Sequence, residues 1–214
     1  MNLNHFTSTE RIEGFSDGVI AIIITIMILE FRLPESALDQ GLWLGIVKPI
    51  APKIMSYALS FLVLTIMWIG HHTLMHSARY ATPTLMWCNN NLLFWMSMVP
   101  FATMLLGEHP FTPTAVALYG AALAATASSF TFLRWRVMVE RDFRGKALQF
   151  HQTVQKRAVT SVLLYCAAIP LAFVSVYISF VIFISVQMMF FYLAHLAYEK
   201  IIGWRVNVRK IKAV

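Results

Sequence analysis

Forty consecutive residues, 158–197, contain no Asp, Glu, Lys or Arg. As a single helix that stretch would run about 60 Å, twice the hydrocarbon thickness of a bilayer. It therefore predicts two membrane-spanning helices joined by a turn, placed near residues 175–179, where no Gly or Pro marks it. The rest of the chain has the same character. Of 214 residues, 58% are hydrophobic and 13% charged, against about 25% charged in soluble domains. One core of that size cannot hide so much apolar surface from water. The expected fold class is an all-α membrane protein, one domain over residues 1–214 with six transmembrane helices. The spans fall at about 15–33, 50–74, 85–106, 112–139, 158–176 and 179–199. The two halves do not resemble each other, so an internal duplication is not expected. No small-residue cleavage site follows the apolar run after Asp17, so the first span is expected to be retained. Cys88 and Cys166 both lie in apolar segments and read as buried thiols rather than a disulfide.

Basic residues orient these spans. A six-span arrangement puts fourteen of the seventeen Lys and Arg on one side, leaving Arg32, Lys48 and Lys53 opposite. Cytoplasmic loops carry such an excess, so both termini are expected in the cytoplasm. The net charge of +7 then reports orientation, with weak anionic-lipid contact at the tail. Nucleic acid is not an expected partner.

Polar groups inside spans are costly and tend to face partners or water. The richest segment opens the first span: Arg11, then Phe15-Ser16-Asp17 before a run of isoleucines. Taken alone, Ser16 or Asp17 reads as a helix cap with its charge at the positive end of the dipole. Arg11 lies six residues before Asp17, within reach of an ion pair. The second span adds His71, His72 and His76, and the third adds Asn89, Asn90 and Asn91. Such imidazoles and amides can satisfy a carboxylate or join helices. His71 and His72 point about 100° apart and cannot share one metal from one face. His72 and His76 can in principle ligate zinc together. The second span offers no acidic companion and the chain has no H-E-x-x-H, so no metal and no cofactor is expected.

Ile22, Ile26 and Leu29 stack along one face of the first span, continued by Gly18 and bordered by Thr25. Such a stripe ordinarily meets lipid or packs. Where copies of a helix converge on an axis, rings of branched aliphatics form a constriction that gates by dewetting.

The Arg11-x-x-x-Phe15-Ser16-Asp17 motif resembles the signature of the transmembrane protein 175 potassium-channel family in its prokaryotic, single-repeat form. The stretch Trp68-Ile69-Gly70-His71-His72, Asn91-Leu92-Leu93-Phe94 and Pro100-Phe101 are also similar to that family. The resemblance implies a homotetramer in the cell membrane, with the first helix of each subunit lining a central pore for K+. It implies Ile22 as the main constriction, Ile26 and Leu29 as lower layers, and Thr25 as a hydroxyl ring. Arg11, Ser16 and Asp17 would form a structural polar network with His71 or His72 and with Asn91.

Two other classes were weighed against a channel. A small proton-coupled secondary transporter needs titratable groups at mid-membrane, where this chain has Ile22, Ile23, Ile24, Thr25 and Ile26. A membrane enzyme needs clustered nucleophile, acid and base groups. No G-x-S-x-G or phosphate-binding loop is present, so no enzyme is expected.

Overall fold

A computed structural model describes residues 9–31, 41–78, 80–141 and 143–192. Among the described residues every regular element is helical. Helix α1 is Thr9–Ile26 and tightens into a 3-10 turn at Met27–Glu30. A π-helical turn, Leu42–Val47, leads into α2, Lys48–Ser77. Then come α3 (Pro83–Ser97), α4 (Val99–Glu108), α5 (Pro113–Glu140) and α6 (Gly145–Leu171). The last described helix is α7, Val176–Tyr192. Among the described residues, three stretches are long and apolar enough to cross a bilayer: Thr9–Leu29, Gly45–Ser77 and Pro113–Glu140.

Local sequence explains where these helices stop and start. Thr82 caps α3 by accepting the Leu85 N–H, and Pro83 occupies the first turn, where its missing donor costs nothing. The segment expected as one helix over 85–106 breaks at Met98 into α3 and α4. Pro100 is the cause: it has no N–H for the carbonyl of Met96, and its ring crowds that carbonyl. The one hydroxyl hydrogen of Thr126 on α5 has the Ala122 carbonyl at 2.8 Å and the Trp95 carbonyl of α3 at 3.2 Å as its acceptors.

Other bounds also move. The expected fifth span begins at 158, but α6 starts at Gly145, because helix continues through the polar residues that bilayer length arguments leave out. The turn after it is residues 172–175, earlier than the 175–179 expected. Pro170 lies inside the last turn of α6, which closes with tightened i→i+3 bonds from the Phe173 and Val174 N–H groups to the Pro170 and Leu171 carbonyls. Ser179 lies within α7 and donates to the Ala168 carbonyl at 2.8 Å. Residues 32–33 and 193–199 of the expected first and sixth spans lie outside the described residues. Cys88 is buried, while Cys166 is exposed on α6; both are free thiols.

The helices pack around two apolar cores. One joins α1, the end of α2, α3 and the end of α5 through Ile12, Ile20, Ile23, Leu74, Leu92 and Leu133. The other joins the start of α2 to α4, α5, α6 and α7 around Tyr119, Tyr165 and Phe183. Between α2, α4 and α5 runs a buried hydroxyl chain. The Thr103 hydroxyl donates to the Val99 carbonyl, so it accepts from Ser60 at 2.7 Å. Ser60 in turn accepts from Tyr119 at 3.0 Å. Such bonds join helices where lipid offers no competing partner. One turn earlier in α2, Gly107 of α4 approaches so closely that an added Cβ would lie 2.8 Å from Ser56 Oγ.

Candidate pore helix and its polar anchor

Helix α1 carries two stripes. Ile12, Ser16, Ile20, Ile23 and Met27, four or three residues apart, are buried against α2 and α3. Phe15, Gly18, Ile22 and Ile26 run along the opposite side. Ile22 is 61% exposed, Ile26 42% and Leu29 72%, although each is an apolar side chain on a well-packed helix. A Cβ added at Gly18 would meet nothing within 4 Å. In the 3-10 turn, residues three apart eclipse, so Leu29 stacks below Ile26 rather than drifting around the axis. Thr25 is exposed between these layers. Its hydroxyl hydrogen can satisfy the Ala21 carbonyl at 2.9 Å or that of Ile22 at 3.1 Å. The oxygen lone pairs are left facing outward, as an acceptor for a cation.

A directional chain of hydrogen bonds fixes the rotation of this helix. Ser16 Oγ donates to the Ile12 carbonyl at 2.8 Å, so it accepts from Asn89 Nδ2 of α3 at 2.9 Å. The Asn89 carbonyl oxygen then accepts from His71 Nε2 of α2 at 2.8 Å, which places the imidazole hydrogen on Nε2. His71 Nδ1 is buried with no hydrogen-bond partner. All three side chains are buried, and one polar chain ties α1, α2 and α3.

The remaining expected network residues divide. Asp17 accepts from Trp68 Nε1 at 2.8 Å. Arg11 is exposed and makes no ion pair among the described residues. Six residues turn a helix through about 600°, so Arg11 and Asp17 emerge on different faces, and Arg11 instead tops the stripe that includes Phe15 and Ile22. His72 Nδ1 meets the Glu13 carboxylate at 2.5 Å. Asn91 does not join α1; its amide donates to Ser129 of α5 at 2.9 Å, linking α3 to α5. Ser16 and His71 thus meet through Asn89, while Arg11, Asp17, His72 and Asn91 have other surroundings. Asn89 was legible in principle: it shares the stripe Leu85, Asn89, Leu92, Met96, spaced four, three and four, whereas Asn91 sits most of a half-turn away. Glu13 lies on the inward side of α1 between Ile12 and Ser16 and was not singled out from sequence.

Comparison with known proteins agrees with this architecture. Residues 11–100 match the family model described as endosomal/lysosomal potassium channel TMEM175. A protein of Chryseobacterium named as a potassium channel is 34% identical over 169 residues, covering 79% of this chain and 85% of the relative. The mouse endosomal/lysosomal proton channel TMEM175 is 29% identical over 121 residues, 56% of this chain but 24% of that longer protein. A crystal structure of a lysosomal potassium-selective channel TMEM175 homolog from Chamaesiphon minutus superposes with a TM-score of 0.75 at 29% identity. The match covers 85% of this chain and 95% of that one.

Proposed function

The chain belongs to the TMEM175 family, and on that premise we propose that it is a potassium channel whose pore is lined by α1. Four copies meet on an axis, and Ile22 forms the main constriction, with Ile26 and Leu29 as further layers. Thr25 contributes a ring of hydroxyl oxygens facing the ion. The observation that carries this reading is the exposed Ile22–Ile26–Leu29 stripe on a helix whose other side is locked to α2 and α3.

The physical logic runs from the anchor to the gate. A constriction of aliphatic side chains selects by width and by the cost of dehydration, so its diameter must hold to a fraction of an ångström. The Ser16–Asn89–His71 chain and the Trp68–Asp17 bond hold the rotation of α1 and therefore aim Ile22 at the axis. Arg11, on the same stripe, sits at the mouth of the pore. Asn91 supports the arrangement at one remove, by fixing α3 to α5. Six spans cross the cell membrane, with both termini in the cytoplasm on the basic side. A proton-coupled carrier would need a titratable group on the stripe, and residues 18–29 contain none.

The test combines flux with crosslinking. After replacement of Cys88 and Cys166, Ile22→Cys and Leu29→Cys should form disulfides between copies in proteoliposomes that pass potassium down its gradient. Ile23→Cys and Met27→Cys, on the buried side, should not. Equal crosslinking from both stripes, or vesicles that hold a potassium gradient, would refute the reading.

A further inference from the structure

Glu13 is a carboxylate whose side chain is 12% exposed, on the side of α1 that faces the bundle. A buried carboxylate needs compensating charge or donors. Among the described residues its ion-pair partners are two histidines of α2 and no Lys or Arg: His72 Nδ1 at 2.5 Å and His76 Nε2 at 3.5 Å. The two imidazoles are four residues apart on one helix face, ring centroids 4.5 Å apart and nearly perpendicular. One donor atom from each of the three residues lies within 4.8 Å of the others.

We propose that Glu13, His72 and His76 bind a zinc-class divalent transition-metal ion, one per subunit, that bridges α1 to α2. The site goes beyond the channel reading and does not depend on it. Two imidazoles spaced four residues apart and a carboxylate from a facing helix make a borderline N2O donor set, the kind that holds zinc with water as fourth ligand. With metal–ligand bonds of about 2.0–2.1 Å, tetrahedral donors stand about 3.3 Å apart. The His76–Glu13 distance of 3.5 Å is already there. His72 must withdraw from Glu13 by less than about 1 Å, and its ring, half exposed, has room to do so. His72 Nδ1 gives up the hydrogen it shares with Glu13 to solvent while Nε2 holds, or takes up from solvent, the one hydrogen of the neutral ring, so that the Nδ1 lone pair can form the coordinate bond. Exposure of both rings supplies an entry route, while Glu13 brings the negative charge that a lone histidine pair lacks.

Full-length protein in lipid nanodiscs should take up one Co2+ per subunit, with the visible ligand-field bands of a low-coordinate site, and Zn2+ should displace it. His76→Ala, His72→Ala and Glu13→Gln should each weaken Zn2+ binding at least about tenfold, and His109→Ala, distant from the site, should not. His76 is 64% exposed, so its variant keeps the fold even where loss of Glu13 does not. Absence of a saturable Co2+ site, or an affinity unchanged by His72→Ala and His76→Ala, would overturn the assignment whatever the flux assay shows.

Discussion

Replacing Asn89 with Leu isolates the polar anchor of α1. Both side chains branch at Cγ and leucine is the bulkier, so no cavity forms and overpacking can only add to the polar loss. His71 Nε2–H, fully buried, would lose its acceptor, and His71 Nδ1, an acceptor in this tautomer, already has no donor. A buried donor left unsatisfied costs about 1–3 kcal/mol. Ser16 would lose the donor at 2.9 Å but keep its own bond to the Ile12 carbonyl. That second loss is closer to the average interhelical bond in membranes, about 0.6 kcal/mol. Together these polar losses predict a destabilisation of about 2–4 kcal/mol. Unfolding in mixed detergent–dodecyl sulfate micelles, followed by tryptophan fluorescence, would measure it. Asn90→Leu, one residue along and exposed, is the control and should change stability by under about 0.5 kcal/mol. A double-mutant cycle with Ser16→Ala should give coupling above about 0.5 kcal/mol. If Asn89→Leu were as stable as the control, the chain of bonds would not be holding α1.

Ile22→Asn should lower potassium-over-sodium preference in planar bilayers, and Ile23→Asn should instead lower stability, since Ile23 is buried; unchanged selectivity would remove Ile22 from the constriction. Gly107→Ala should cost about 1–3 kcal/mol of stability, because the new Cβ would sit 3.1 Å from the Lys53 backbone as well as against Ser56; a stable variant would mean α4 shifts freely on α2. His151, at the polar start of α6, has its pKa lowered by burial and by the charges of Arg134 and Arg141. The unfolded chain takes up that proton near pH 6.5 and the folded one only at lower pH. Melting temperature should therefore fall as pH drops below about 6.5 and level off below the folded pKa, and His151→Gln should flatten that slope.

Much of the fold was written in composition. Residues 158–197 demanded two helices because forty uncharged residues exceed one crossing, and the structure places a turn there, at 172–175 rather than 175–179. Breaks within helices were harder to read. Pro100 acts through a missing N–H and a ring clash, effects local to one turn that hydropathy does not register. The choice among asparagines was less plain, because Asn89, Asn90 and Asn91 are chemically identical and only the stripe that Asn89 alone shares with Leu85, Leu92 and Met96 separates them.

What the sequence determined by itself is therefore the solvent: an apolar, charge-segregated chain whose helices must lie in a bilayer, with Ile22, Ile26 and Leu29 on one side of the first. It did not determine which side of that helix is the inner one. Ile12, Ile20 and Ile23 form a second stripe just as apolar as the first, and in lipid hydrophobicity does not drive one face rather than the other inward. Tertiary structure decided the matter through polar and steric fit: Ser16 meets Asn89, Trp68 meets Asp17, and Glu13 meets two histidines of α2. Those contacts depend on residues 50 to 75 positions apart in the chain, and their partners are brought together only by the packing of α1, α2 and α3.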